Sequence, residues 1–593
     1  MQLTAIDYGI IGLYFLICLL VGLVFTSRAG KSLSEYFVSG RQFPWWVAGT
    51  SMVATTFAAD TPLVVTGLVI QQGVAGNWFW WSLAISGSLT VFLFAKLWRR
   101  SEVLTDVELI ELRYGGAPAA FLRGFRACYV AVVVNSVIIA WVTSAMLKIV
   151  KDTMPAAWVQ SAGDWWIIAA LLAMVGFYST LSGLWGVALT DVIQFVIAIG
   201  GCIALAVFAV QHVGGIESLQ QKVIDVAGPG HLSFIPDLTS PDSPLPWHIF
   251  VLLICVQWWA TWFPGAEPGG GGYVVQRMNS CINEKHAVWA TLWFQMAHYC
   301  LRPWPWILVA LVAMVTHPEL LTAKHQDIGY IIVMRELAPV GLRGLMIAAF
   351  FAAYMSTIST QMNWGASYLV RDVYQRFVAP DADEHKLVSA SRIASVLVLV
   401  LGGIASWIFR DYRIDDMWRM LAALGAGTGL VFMLRWWWWR ISAWTEISAM
   451  VLSLITYVLI SSRRESLNQL AGFELQETHV MAIVAALTLI ATFIVTMLLP
   501  PERPQTLSNF YCRVRPPAWG WGEIAAQHPD VKPEGNFGLA LGLALLSAGM
   551  IYLTLPAVGH WIFGNYLWAT LCTLGAVACG IVIARGMNRI TAT

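Results

Sequence analysis

Long apolar runs follow one another along nearly the whole chain, and only short polar joints separate them. Most runs approach or exceed the roughly 20 residues that a helix needs to cross a bilayer, and we count about fifteen of them. Apolar residues are continuous within each run instead of alternating with polar ones, which is typical of helices and not of membrane-barrel strands. The pattern therefore predicts an all-α integral membrane protein.

The composition of the chain points the same way. Of its 593 residues, 58% are hydrophobic and only 12% are charged, which excludes a string of soluble domains and makes the lipid bilayer the expected surrounding. The 9 Cys lie mostly inside apolar runs without metal-ligand spacing, which argues against a disulfide framework or a metal cluster. No nucleophile and base stand in a recognisable arrangement. We therefore expect no enzyme, no organic cofactor and no nucleic-acid partner, and no feature indicates an oligomeric state.

The distribution of positive charge predicts the orientation. When alternate joints are assigned to opposite sides, about two thirds of the 35 Lys and Arg fall on one side, which is the cytoplasmic side by the positive-inside rule. The first run, residues 7–25, has no basic residue ahead of it and is expected to be a retained helix, not a cleaved signal peptide. We expect a plasma (inner) membrane protein with its N-terminus outside and its C-terminus in the cytoplasm.

The second run is not a clean span. In its middle, Asp60 is followed by Thr61 and Pro62. Pro62 has no backbone donor and disfavours helical geometry at the preceding residue, so we expect the helix to unwind there. Unwound backbone at membrane depth is tolerated only where it is buried in protein or lines a cavity.

A second interruption follows five spans later, in residues 258–277. It contains Trp258, Trp259, Glu267 and the four consecutive glycines 269–272. Two interrupted segments at corresponding places in two five-span halves are typical of an inverted-repeat transporter with its site at the breaks. We therefore expect a ten-helix 5+5 core over residues 41–440, with an extra helix and joint in residues 1–40 and about four further helices in residues 441–593.

Small and hydroxylated residues crowd one side of a membrane-length helix in residues 339–374. Ala353, Ser356 and Thr357 stand at i, i+3 and i+4, so they share a face and could direct a carbonyl and two hydroxyl oxygens to one point. Oxygen ligands of this kind suit a hard cation such as Na⁺. The alternative is that the hydroxyls bond back to carbonyls one turn earlier or pack against a neighbouring helix.

Two ionisable residues, His298 and Arg302, lie one helical turn apart inside an apolar run. Ionisable groups within a membrane usually face a cavity or a partner, so the pair is either part of a site or structural, with Arg302 paired to Asp60 or Glu267. The run RWWWWR, residues 435–440, is instead typical of an interfacial aromatic belt flanked by snorkelling arginines.

Five motifs resemble those of a known family: SEYFVSGR (34–41), VLTDVELIELRYG (103–115), GLWGVALTDVIQ (183–194), YVVQR (273–277) and MSTIS (355–359). In kind and order they resemble the sodium:solute symporter family, whose members have the LeuT-type inverted-repeat core. The resemblance implies a Na⁺ site made by backbone oxygens of Ala54, Phe57 and Ala353 with the hydroxyls of Ser356 and Thr357.

Three departures from the family leave the solute open. Sugar-transporting members have a Lys at the place of His298 and a gating Tyr near the place of Glu267, whereas proline-type members have an Asp at the place of Thr56. Tryptophan faces with carboxylates suit a sugar-like solute, whereas His298 and Arg302 suit a carboxylate-bearing one. Both remain open.

The sequence favours a secondary active transporter that carries a small polar organic solute with Na⁺ by alternating access. The residues expected to line the solute site lie at or near the two breaks: Asp60, Thr61, Asn135, Trp258, Trp259, Glu267, His298 and Arg302. One alternative is a proton-coupled carrier of the same fold, with Asp60, Glu267 and His298 as the proton relay. A transporter-like membrane sensor is a weaker alternative, since only the segment ARGMNRITAT follows the last apolar run.

Overall fold

The structure is a computed structural model, and it describes residues 3–29, 31–240, 243, 245–533 and 535–591. These residues form helices joined by short connections, and among them β-structure is limited to one isolated bridge between Phe43 and Cys281. The all-α prediction is confirmed.

Nineteen helices of the described residues carry the architecture. Several contain a wide turn or a short connection, and we label them in chain order with the bounds that the structure gives. They are α1 Ala5–Ala29, α2 Trp45–Thr56, α3 Thr61–Gln72, α4 Val74–Trp81, α5 Ala84–Ser101, α6 Gly116–Thr153, α7 Trp158–Phe177, α8 Gly183–His212, α9 Trp247–Ala260, α10 Gly272–Ser280, α11 Glu284–Thr316, α12 Leu342–Val378, α13 Glu384–Phe409, α14 Ile414–Leu424, α15 Thr428–Trp437, α16 Ala443–Ser462, α17 Glu477–Leu498, α18 Phe537–Ile562 and α19 Tyr566–Arg589.

Many of these helices are suited to a bilayer. Within the part of the chain that the structure describes, 10 helices are long and apolar enough to cross a membrane, and up to 13 spans result when each bent pair counts as one. Shorter apolar helices lie at Ala5–Val21 and at α9. The chain is thus an integral membrane protein, as its apolar pattern predicts.

Both predicted interruptions are present. Helices α2 and α3 meet at an angle of 57°, with four residues between them. Helices α9 and α10 are separated by residues 261–271, an irregular passage in which Gly265, Gly269 and Gly270 have positive φ angles. Such backbone conformations are open to glycine and unfavourable for other residues, so the glycine-rich sequence accounts for the passage.

Helix α12 lies at the centre of the molecule, and its residues are buried over most of its length. It packs against α1, α2, α6, α8 and α13. The burial explains how small and hydroxylated residues occur on an otherwise apolar helix: its neighbours are other helices, and small residues let the backbones approach closely.

The run RWWWWR does not form the predicted interfacial belt at its first two residues. Arg435 and Trp436 are fully buried. Arg435 Nη1 lies 3.3 Å from the Glu446 Oε1 carboxylate oxygen of α16, and the Trp436 ring packs 4.7 Å from that of Trp98. For these two residues the prediction was wrong, because the carboxylate partner of Arg435 comes from the next helix, α16.

Candidate functional site

The first break is closed at both ends by local interactions. At the end of α2, the Phe57 N–H donates to the carbonyls of Val53 and Ala54, each at 3.0 Å. Helix α3 then begins at Thr61 with Pro62 in its first turn, where the missing N–H of a proline costs no intrahelical bond. The intervening backbone is neither helical nor lipid-exposed, since Phe57 and Asp60 are buried.

Arg302 supports this break from helix α11. Its guanidinium donates to the Val53 carbonyl and to the Thr56 hydroxyl, both at 3.2 Å, and it is fully buried beside the rings of Phe57 and Trp306. Among the described residues it forms no ion pair with a carboxylate. The guanidinium thus ties α11 to the last turn of α2 through one carbonyl and one hydroxyl, a structural role different from the predicted pairing with Asp60 or Glu267.

His298 belongs to the same unit. It lies in a wide π-helical turn, Ala297–Leu301, and its Nδ1 is 2.6 Å from the Arg302 guanidinium and 3.0 Å from the Thr56 hydroxyl. Because a guanidinium only donates, Nδ1 must be the acceptor, which places the proton of the neutral ring on Nε2. A wide turn of this kind often occurs at functional positions in helices.

The two breaks line one cavity of about 80 Å³. The first break contributes Thr55, Thr56, Ala58, Asp60 and Thr61, and the second contributes Phe263–Ala266 together with Tyr273. Four of the residues predicted for the solute site line it: Asp60, Thr61, His298 and Arg302. The other walls are largely apolar, with four aromatic and four aliphatic side chains among ten residues: Trp80, Leu83, Val65, Ile138, Trp141, Val142, Tyr299, Thr357, Gln361 and Trp418.

The remaining four predicted residues lie outside this lining. Asn135 Nδ2 donates to the Gln361 carbonyl at 2.7 Å, and Trp259 Nε1 donates to the carbonyl of Cys255 on its own helix at 2.7 Å. Trp258 is half-buried in the apolar packing of α9. Glu267 is buried, and its Oε2 accepts from the Gly265 N–H at 3.1 Å within the second break.

The predicted Na⁺ ligands lie around a neighbouring void between α2, α8 and α12. Ala54, Phe57, Ala353 and Ser356 border it, while Thr357 lines the larger cavity beside it. All five residues are buried.

The hydroxyl groups in this place are oriented in a way that suits a cation. Ser356 Oγ donates to Asp191 Oδ1 at 2.6 Å, and Thr357 Oγ1 donates to the carbonyls of Thr55 and Ala353 at 2.9 and 3.1 Å. No donor from the described part of the chain reaches either oxygen, so both keep their lone pairs. Oxygens of this type fit Na⁺. Thr357 also shows the bond back to Ala353 that the alternative interpretation predicted.

The sequence analysis assigned no role to Asp191, which orders this region. The carboxylate accepts from Ser51 Oγ at 2.5 Å and from Ser356, and it lies 3.8 Å from the Arg277 guanidinium. The sequence does indicate that Asp191 is important, because a single carboxylate within an apolar run is costly without a partner. Trp80, Trp141 and Trp418 carried no comparable signal in a chain with 31 Trp.

Comparisons with known proteins identify the fold and the family. Residues 36–455 match the model of the sodium:solute symporter family. Similar proteins include a sodium/glucose cotransporter of Vibrio parahaemolyticus, 27% identical over 67% of this chain and 74% of that one, and a sodium/mannose cotransporter of Bos taurus, 26% identical over 69% of each. The structure of a Na⁺-coupled sialic acid symporter superposes with a TM-score of 0.66 at 20% identity, covering 85% of this chain and 100% of that one.

Proposed function

The chain belongs to the sodium:solute symporter family, and we propose that it moves a small polar organic solute into the cell together with Na⁺ by alternating access. Its relatives are cotransporters and not enzymes, in agreement with the sequence-based exclusion of catalysis. Na⁺ is the coupling ion of the family, and small solutes are its cargo.

One observation carries the proposal: residues from both helix breaks line the same cavity, and Ala54 and Ser356, which border the small void, are the chain neighbours of Thr55 and Thr357 in the cavity lining. Thr55 lines the cavity, and its carbonyl accepts from the Thr357 hydroxyl of α12. An ion held by Ala54, Phe57, Ala353, Ser356 and Thr357 would join α12 to the end of α2 and so fix one wall of the solute cavity.

The energetics suit concentrative uptake. Moving one positive charge down a potential of 100 mV yields about 2.3 kcal/mol, and a tenfold Na⁺ gradient adds about 1.4 kcal/mol. One Na⁺ per solute then supports an accumulation of several hundred-fold, on the order of the ratio that 3.7 kcal/mol provides.

The finer architecture is part of the proposal. The 13 spans and the two shorter apolar helices together give fifteen crossings. Helices α2 to α8 and α9 to α15 then form the two five-span halves of a core over residues 41–440, preceded by α1 and followed by α16 to α19. The N-terminus lies outside and the C-terminus in the cytoplasm.

The experiment is a thermal-shift screen of purified protein with sugars, amino acids and organic acids, in Na⁺ and in K⁺. K⁺ is the replacement because organic cations are themselves candidate solutes. We expect at least one compound to raise the Tm more in Na⁺ than in K⁺, since a ligand that binds the folded state stabilises it. A ligand-induced rise in Tm that is equal in Na⁺ and K⁺ but depends on pH would instead support the proton-coupled alternative.

A further inference from the structure

The Asp60 carboxylate is the most unusual group in the solute cavity. The residue is 1% exposed and lines the cavity, and neither of its oxygens has a hydrogen bond of regular geometry among the described residues, although the Trp418 indole N–H acts on the carboxylate. Arg302 acts on Asp60 only through space, since the guanidinium is bound to Val53, Thr56 and His298. A buried carboxylate is expensive unless a positive charge or hydrogen-bond donors compensate it, and no cationic side chain of the described residues forms an ion pair with Asp60.

The surrounding side chains are of a kind that binds cations. Two groups of rings line the same cavity: Trp80 stacks on Tyr299 with centroids 5.7 Å apart, and Trp418 packs against Phe263 and Trp141 at 5.7 and 6.4 Å. The faces of aromatic rings carry negative electrostatic potential and attract ammonium groups, most strongly in a site shielded from water.

A further polar atom of the cavity wall also favours a solute that donates hydrogen bonds. Gln361 lines the cavity, and its Oε1 is another buried acceptor without a partner in the described residues. Asp60 and Gln361 thus offer acceptor oxygens to a bound solute. A solute that uses them donates hydrogen bonds, and positive charge on the solute compensates Asp60, because the cavity's own guanidinium is already engaged.

We propose that the solute carries an ammonium group, which the Asp60 carboxylate binds as its counter-charge while the rings of Trp80, Trp141 and Trp418 surround it. The transported class is thus a cationic or zwitterionic amine, or a quaternary ammonium compound, and not a neutral sugar. This inference rests on the proposed function, because it assigns the cargo of the same cavity. Asp60 is then the residue that distinguishes charged from neutral solutes of similar shape.

The test compares compounds that differ in charge but little in shape. The pairs are choline with 3,3-dimethylbutan-1-ol, in which carbon replaces the ammonium nitrogen, and glucosamine with glucose. Binding to the purified full-length protein is measured by thermal shift over a concentration series in saturating Na⁺, and again in K⁺. Wild-type protein is compared with Asp60→Asn, with the charge-preserving Asp60→Glu, and with Asp164→Asn, a control carboxylate that pairs with Lys151 and does not line the cavity.

We expect at least one ammonium compound to bind wild type about tenfold or more tightly than its neutral partner, and Asp60→Asn to abolish that difference, as loss of one partner of a buried charge pair does. Asp60→Glu and Asp164→Asn should keep the preference. If Asp60→Asn does not fold, the charged-to-neutral ratio in wild type decides the matter alone.

Neutral compounds that bind as tightly as their ammonium partners, or a failure of every ammonium compound to stabilise the protein, would overturn the inference. A preference that persists in folded Asp60→Asn would do the same for the role of Asp60. The Na⁺ measurement separates the two proposals. If ligands stabilise the protein more in Na⁺ than in K⁺ but show no preference for ammonium compounds, the proposed Na⁺ symport is supported and only the proposed ammonium solute is contradicted. Selective ammonium binding that is equal in Na⁺ and K⁺ supports the cargo and contradicts the coupling to Na⁺.

Discussion

At the scale of single residues, the direction of a hydroxyl proton separates a candidate ligand from ordinary packing. Ser356 donates across to Asp191 on α8, and Thr357 donates to α2 as well as back to Ala353, so both oxygens lie at contacts between helices. Ser367 on the same helix instead bonds back to the Trp364 carbonyl at 2.6 Å. Sequence spacing predicted the shared face of Ser356 and Thr357, but it could not predict Asp191, which lies 165 residues away in the chain.

The first prediction concerns these hydroxyls. Ser356→Ala and Thr357→Ala should each raise the half-saturating Na⁺ concentration about tenfold or more, because an unmade bond at a buried polar site costs roughly 1–3 kcal/mol. Thr357→Ser keeps the oxygen and should stay near wild type. Ser367→Ala is the matched control on α12. Na⁺ titration of thermal stability gives the readout, and wild-type Na⁺ dependence in both alanine variants would remove the site assignment.

The second prediction concerns Arg302. A lysine keeps the charge but lacks the planar fork that reaches Val53, Thr56 and His298 together, so Arg302→Lys should weaken the support of the first break. We expect a loss of roughly 1.5–3 kcal/mol in the free energy of unfolding, the value of a hydrogen bond to a charged group, together with weaker Na⁺ binding. Thermal unfolding with and without Na⁺ measures both effects.

Asp60→Asn is the comparison for Arg302→Lys, since it should change solute selectivity and leave Na⁺ binding in place. If Arg302→Lys alters solute affinity alone, with unchanged Tm and Na⁺ dependence, then Arg302 binds the solute and does not cap the helix.

At the scale of helices, the sequence predicts structural effects that a residue has on its own backbone. It does not predict effects that come from contacts with distant helices. Pro62 and the glycines after Glu267 act locally, so both breaks were predictable from the sequence. The path from Ala260 to Gly272 was not, because its course depends on α15, whose residues 432 and 433 lie against Gly269. The run at 435–440 is a second example. Its first arginine, Arg435, is buried beside a carboxylate of α16 and not exposed at the membrane interface, and the run alone could not predict this contact.

The third prediction compares two glycines with similar backbones. Gly265 and Gly564 have φ angles of 83° and 75°, so a side chain at either should cost roughly 1–2 kcal/mol in strain. A Cβ at Gly564 meets nothing within 4 Å, whereas one at Gly265 meets the Tyr273 hydroxyl and the Thr56 methyl at the cavity. We therefore expect Gly265→Ala to weaken solute binding about tenfold or more, in addition to its effect on stability.

The matched control is Gly564→Ala, which should lower the Tm through backbone strain alone and leave solute affinity unchanged. Affinity is measured by thermal shift over a concentration series of the best ligand of the screen. Equal loss of affinity in both variants would show that strain, and not the shape of the cavity, is responsible.

At the scale of the whole molecule, α16 is joined to helices earlier in the chain by buried charges. Glu446 on α16 accepts from the Tyr114 hydroxyl at 2.6 Å and lies 3.5 Å from Arg126 and 3.3 Å from Arg435. The sequence predicted a division at residues 440 and 441 from the family resemblance, which says little about residues beyond it. Contacts of this kind follow from three-dimensional packing, so a linear pattern could not predict them.

The last prediction tests the orientation on which inward transport depends. Gln221 and Gln505 are exposed residues on short polar helices, Ile216–Ala227 and Pro504–Val514, which the positive-inside assignment places on opposite sides of the membrane. In a background without accessible native thiols, Gln221→Cys should react in intact cells with a membrane-impermeant thiol reagent, and Gln505→Cys should react only after the membrane is permeabilised. Each variant is the other's control, since both replace an exposed glutamine on a helix. The reverse pattern would invert the orientation, and the same Na⁺ gradient would then act on the other face of the cavity.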